Sequence, residues 1–495
     1  MGIWQRMFGS TKPQPPTRRA FDAASVSRLT ASWTVSNVSA DQDILRSLTN
    51  LRARSRDLCN NNDYARKFLQ MVTSNIVGPD GVRLQMMVRE SDGRTDDFAN
   101  KAIEEAWWNW CQRGVCDVTG KLSFADIQRL IIRAIARDGE ALIVRHRGKQ
   151  HNEFGFALQV LDVDRIDTQF NDTLKNGAIV RMGVELNQFG RPIAYHLTNK
   201  HPGDTAYTTA GTRQRIAADD VLHLFISDRP EQTRGIPWMH SAMLHLQMLG
   251  AYEESAIVAA RVGAAKMGFI TTPDGDPTSF AGERDSEGKM YDEVEPGHFG
   301  TLSPGQGFVG FDPEYPQANY GPFVKSCLRG IASGLGVAYN TLANDLEGVN
   351  FSSIRSGVIE ERDNWMLLQN WFVDAFIKPV FTDWLSIALL TGNITNPNGS
   401  PLPAGKLKKF NSATWQPRRW QWVDPVKDME FARLAITSGL MSPQVVAAQM
   451  GMDVDDVLDG IARFEQSVKE KKVTLVNFGV GSPKADQPKE NSVKE

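Results

Sequence analysis

Four cysteines, Cys59, Cys111, Cys116 and Cys327, are all that 495 residues provide. None stands in C-x-x-C spacing, so a disulfide framework is excluded and a reducing cytoplasm is the natural setting. Charge of one sign is lacking too: 55 Lys and Arg face 58 Asp and Glu, a net charge of -3. That excludes a generally basic nucleic-acid coat. No window reaches the ~18 uninterrupted apolar residues of a membrane span. The best candidate, residues 255–270, is broken by Arg261 and Lys266. The amino terminus has no continuous apolar stretch of the secretory kind, and Arg6 stands where a myristoylation motif needs Ser or Thr. No G-x-x-x-x-G-K-[ST] occurs, so the phosphate cradle of an ATPase is missing.

What remains is an ordinary globular composition, 41% hydrophobic and 23% charged. The length predicts roughly three structural units of about 150 residues each. Residues 1–30 read as a flexible basic tail and 476–495 as a disordered polar end. Between them the pattern predicts an α+β chain, mostly helical. A helix runs from about residue 41 to the Asn run at 60–62; Asn62 or Asp63 caps the next, which Gly78 ends. Helices follow over 97–113 and 123–137, then strands over 140–147, 156–163, 178–187, 192–199 and 221–226. A long helix spans about 240–267, with Ala256, Ala259, Ala260, Gly263, Ala264 and Ala265 small enough for close approach of another helix. A monomer core and a subunit contact fit that helix equally. Residues 268–321 are polar and turn-rich. A helix over 322–337 precedes a loop, and after it comes a helix far longer than average, expected to kink at Pro379.

Several motifs invite chemistry and are weighed against structural roles. Arg52, Arg54 and Arg56 resemble a phosphate site, but alternating arginines do not share one helical face, which favours a solvated or subunit-facing surface. Asp138, Glu140, Asp162, Asp164 and Asp167 are the raw material of a metal-dependent nuclease; as strand-end carboxylates they more readily serve turns. Gly305, Gly307 and Gly310 spell G-x-G-x-x-G without the helix a dinucleotide site needs after it. Ser352 or Ser353 reads as a helix N-cap, since no G-x-S-x-G or S-x-x-K accompanies a nucleophile there. Lys406, Lys408, Lys409, Arg418 and Arg419 interleave with Trp415, Trp420 and Trp422. Stacking on single-stranded nucleic acid is one reading; burial of Trp420 and Trp422 as one face of a strand is favoured.

Five blocks in order, "FDAASVSRLTASW", "LRARSRDLCNNNDYARKFLQMVTSNIVG", "RGIPWMHSAMLHLQMLGAYEESAIVAARVGAAKMGFI", "EGVNFSSIRSG" and "WQWVDPVKDMEFARLAITSGLMS", resemble the portal proteins of tailed bacteriophages, specifically the lambda-like portal family. The resemblance covers roughly residues 20–470. It implies a dodecameric ring at one capsid vertex, a conduit for double-stranded DNA during packaging and ejection. It also implies docking of the terminase large subunit and head-completion or adaptor proteins, contact with major capsid protein and scaffold, and no membrane partner. The implied location is the virion, after assembly in the bacterial host cytoplasm.

The same resemblance implies a wing over 31–239, stem helices over 240–267 and 322–337, a clip over 268–321 and a tunnel loop over 338–353. A long kinked helix with return to the wing covers 354–423, and a helical crown 424–475, where Ser442 and Pro443 start a short helix that Gly451 ends. Within the loop, Leu342, Asn344, Asp345, Leu346, Glu347, Gly348, Val349, Asn350 and Phe351 are the expected channel residues. Asp345 and Glu347 give it a negative formal charge, which predicts guidance of DNA by steric contact and repulsion. Arg261, Lys266, Lys325 and Arg329 are candidate channel-facing or intersubunit charges. No catalytic residue, metal ligand or cofactor is assigned. The alternatives are an enzyme of packaging, nuclease or ATPase, and a monomeric DNA-binding protein.

Overall fold

The computed structural model describes residues 28, 30–175, 177–204, 206, 211–264, 268–271, 283–284, 290–291, 307–310, 320–347, 351–396, 398–420, 425–450, 452 and 454–470. The chain opens with α1 (Ala40–Asn61) and α2 (Asp63–Ile76), then β1 (Arg83–Met86), α3 (Asp97–Trp110) and α4 (Phe124–Asp138). Strands β2 (Ala141–Arg147), β3 (Phe156–Leu161), β4 (Asp172–Thr173), β5 (Ile179–Arg181), β6 (Val184–Leu186), β7 (Pro192–Thr198), β8 (Arg213–Ala217) and β9 (Val221–Leu224) follow. Next come α5 (Met243–Ala264), β10 (Gly268–Thr271), β11 (Glu283–Arg284), β12 (Met290–Tyr291), β13 (Gly307–Gly310), α6 (Tyr320–Leu335) and α7 (Tyr339–Ala343). The last elements are α8 (Phe351–Phe372), α9 (Lys378–Thr391), α10 (Leu407–Phe410), β14 (Ala413–Gln416), α11 (Pro425–Thr437), α12 (Pro443–Gln449) and α13 (Val454–Glu470). The mixed, mainly helical class read from the sequence is the one observed.

Local chemistry sets the boundaries. Asn62 ends α1 and caps α2, its Oδ1 accepting from the Ala65 N–H at 3.0 Å. Ser123 and Asp126 form a reciprocal capping box at α4, and Gly139, with φ 91°, closes that helix in the left-handed region. The long helix is interrupted one turn earlier than Pro379 alone predicts. Residues 373–377 form a π-turn in which the Lys378 N–H bonds the Val373 carbonyl, five residues back, just before the proline that has no N–H to give.

Two antiparallel sheets carry the strands, β3-β2-β9 and β4-β5-β6-β7-β8, while β1 pairs with β14 and ties residue 83 to residue 416. Residues 178–187, expected as one strand, split into β5 and β6 because Met182 and Gly183 both take positive φ, 48° and 82°. β1, β4, β8 and β14 are too short or too polar to announce themselves. The central core joins α2, α3, α4 and α9 through an aromatic cluster. Trp107 meets Trp384 edge-on at 4.9 Å and Phe381 at 5.3 Å, and the Trp110 Nε1 donates to the Phe156 carbonyl at 2.8 Å. Gly307 and Gly310 lie in β13, paired antiparallel with β10, so these two glycines belong to a two-stranded ladder. Trp415 is buried on β14. Trp420 follows that strand, its Nε1 donating to Asn75 Oδ1 at 3.0 Å, a structural role reached without strand alternation; Trp422 lies outside the described residues.

Candidate functional site

The segment between α6 and α8 begins as a short helix. Leu342, on α7, is only 2% exposed and packs into the main core, so it anchors the segment and is no channel residue. Thr341 Oγ1 donates to Glu361 on α8 at 3.1 Å. Asn344 then turns the chain with φ 54°, in the left-handed region that Asn tolerates. Beyond it Leu346 is 68% exposed, the apolar tip of the described loop. Gly348, Val349 and Asn350 lie outside the described residues. Phe351 is the first residue of α8, so Ser352 and Ser353 fall within its first turn.

The loop's acids are not bare. Lys325 on α6 reaches Asp345 at 3.0 Å and Glu347 at 3.3 Å. Asp345 also accepts from the Tyr339 hydroxyl at 2.7 Å and from the Glu347 N–H at 3.0 Å. The Tyr339 bond, the Glu347 N–H and Lys325 together hold the Asp345 carboxyl down at about 2. Two carboxylates sharing one ammonium make a weaker repulsive surface than formal charge predicts. Among the other expected charges, Arg329 sits over the Tyr339 ring at 5.4 Å, Arg261 is exposed near the end of α5, and Lys266 lies outside the described residues.

α5 has two apolar faces. Met243, Leu246, Leu249 and Ala256 are buried against the rest of the chain. Leu244, Met248, Ala251, Ser255 and Val258, spaced by four, three, four and three, form a second stripe on the opposite side, where Leu244 and Met248 are 69% and 61% exposed. Midway along α5, Tyr64 donates to Glu253 at 3.1 Å, while Tyr252 stacks on Tyr320 of α6 at 5.8 Å.

The arginines and carboxylates that hinted at a phosphate or nuclease site are brought together, mostly against each other. Arg52 is buried, donating to Glu140, to Asp164 at 3.1 Å and to the Asp138 carbonyl at 3.1 Å. Arg56 pairs with Asp138 at 2.7 Å, Asp164 at 2.5 Å and Asp162 at 3.1 Å. The solvated-surface reading of Arg52 is therefore corrected; Arg54 stays exposed. Asp167 pairs instead with Arg213. Glu140 is the hub, fully buried, taking Arg234 and the Gly235 N–H at 2.9 Å as well as His223 Nε2 at 2.8 Å. Burial opposes its ionisation, but the charges of Arg234 and Arg52 outweigh it and hold Glu140 well below the usual carboxylate range. Sequence reasoning missed Arg234. The signal was available in two glycines: a Cβ at Gly235 would overlap the Gly139 carbonyl oxygen, so only this pair lets the two backbones touch. Asp162, Asp164 and His201 have ligand atoms close enough for a metal, yet the carboxylates already carry arginine partners.

The sequence profile described as "Phage portal protein, lambda family" matches residues 26–369. The chain belongs to that family. It is 36% identical over 458 residues to the probable portal protein of Halomonas phage phiHAP-1, an alignment covering 91% of this chain and 87% of that one. Portal protein B of Escherichia phage lambda is 24% identical over 476 residues, covering 89% and 86%. Among solved structures, a chain of the virion of native gene transfer agent (GTA) particle covers 82% of this chain and 94% of its own length at 13% identity and TM-score 0.43, a likeness too slight to bear on function. The portal-family match runs through the Glu140 cluster, α5, α6 and the loop into α8.

Proposed function

We propose that the chain assembles into a closed ring, twelve copies in the family's pattern, at one capsid vertex. There it conducts double-stranded DNA during packaging and ejection, and docks the terminase large subunit and then the head-completion proteins. Family membership across residues 26–369 is the observation that carries this reading. In it the body up to residue 239 is the wing, α5 and α6 the stem, residues 268–321 the clip, 338–353 the tunnel loop, and α11, α12 and α13 the crown. The protein acts by shape and position; ATP hydrolysis belongs to a partner. Contacts with major capsid protein and scaffold follow from the same assignment.

The exposed stripe of α5 supports the ring reading, because an apolar face of this spacing needs a second helix to cover it. We assign that face to the neighbouring subunit. In the loop, Leu346 is the steric contact with DNA, and Lys325 softens the repulsion that Asp345 and Glu347 exert on phosphates. A tight phosphate grip would oppose translocation, so the loop adds little to DNA affinity. The test is native mass spectrometry with electron-microscope images of the purified chain. A ring of about twelve 55.0 kDa protomers with a central hole supports the reading. A monomer or dimer at every salt and protein concentration, still small when capsid protein and scaffold are added, overturns it.

A further inference from the structure

We propose that the free edge of β9 receives an extended segment of a partner protein carrying an aspartate or glutamate, which joins the β3-β2-β9 sheet as a fourth strand. β9 pairs with β2 on one side and with no other strand among the described residues. Along it runs an open cleft of about 400 Å³ lined by all five residues from Val221 to Phe225. Successive residues of a strand point to opposite faces, so a cleft that touches five in a row follows the backbone edge and not one face. At ~3.3 Å per residue its length suits four or five residues of extended chain. Main-chain donors and acceptors on such an edge are a template for strand addition.

The walls specify the visitor further. Tyr195 and Trp371 flank the strand with aromatic surface. Arg145 lines the cleft with its charge already engaged, clamping Asp383 at 2.6 Å and the Asp219 carbonyl. Arg191 lines the same cleft, exposed, with no ion pair among the described residues. Asp219 is the one acid in the lining, and His223 is already engaged by Glu140. An exposed guanidinium at Arg191, with no ion pair among the described residues, beside an open strand edge favours a peptide with a carboxylate over a neutral one. This inference is independent of ring formation.

The probe is a fluorescein-labelled, acetylated hexapeptide of alternating valine and threonine with one central glutamate, added to the full chain and read by anisotropy and by hydrogen exchange. Saturable binding is expected, with slowed exchange confined to residues 221–225 and neighbouring strands. The glutamine counterpart of the peptide, or Arg191→Met in the protein, is expected to weaken binding about tenfold. A peptide with proline at its centre is expected not to bind, because it cannot complete the ladder. Arg191 is exposed, so its variant keeps the fold, checked by an unchanged melting temperature. No saturation by about 1 mM, unchanged exchange at 221–225, or equal binding of the proline or glutamine peptide overturns the proposal.

Discussion

The Glu140 cluster and α5 present the same problem solved in opposite ways. Around Glu140 a buried carboxylate is met entirely within one chain: Arg52 arrives from α1, His223 from β9, and Arg234 and the Gly235 N–H from the segment before α5. Along α5 the chain satisfies one face and leaves a regular apolar stripe to solvent. The first arrangement makes a self-sufficient body. In the proposed ring the second is completed by a neighbouring subunit, and the contrast separates what holds the protomer together from what it would bring to that assembly.

Breaking the first arrangement should cost most. Glu140→Ala leaves two guanidinium groups buried without their shared partner and is expected to destabilise the body by about 3–5 kcal/mol, read as a lowered urea midpoint. Gly235→Ala is expected to lose a comparable amount by forcing the segment that carries Arg234 away from Gly139. The pH dependence follows from the same cluster. Glu140 and Asp164 have depressed folded-state values, so their contribution is present above the ordinary carboxylate range and is lost as pH falls through it toward the folded values. Stability measured between about pH 5 and pH 2 should therefore fall less steeply in Glu140→Gln than in the parent chain.

Changes in the second region should be nearly silent in the protomer. Leu244→Glu with Met248→Glu alters exposed positions and is expected to move protomer stability by about 0.5 kcal/mol or less. The loop contact is smaller still in energy, but measurable by titration. Lys325→Met removes one of the groups that hold the Asp345 carboxyl at about 2, and NMR should follow that carboxyl upward toward its ordinary range. An unmoved Asp345 would mean that the Tyr339 and Glu347 bonds alone set its value.

These two regions were unequally legible from the residues. Helix positions were readable because caps and periodicity are local: Asn62 announces its role within four residues. The loop's location between two helices was readable for the same reason. Its electrostatics were not, because Lys325 precedes Asp345 by twenty residues and only the turn at Asn344 brings them together. The Glu140 cluster was hidden for a like reason. Arg52, Glu140 and Arg234 are separated by 88 and 94 residues, and no spacing rule joins them. The strands split at Met182 and Gly183 show the limit of period-two reasoning, which cannot see one reversal inside an apolar run.

The most direct test of the central claim is the native mass of Leu244→Glu/Met248→Glu beside that of the parent chain, at equal concentration and salt. The account predicts a closed ring of about twelve protomers for the parent and a folded species of one or a few chains for the variant, with an unchanged protomer melting transition. A variant ring of the same mass and stability as the parent would contradict the assignment of the α5 stripe to the subunit interface.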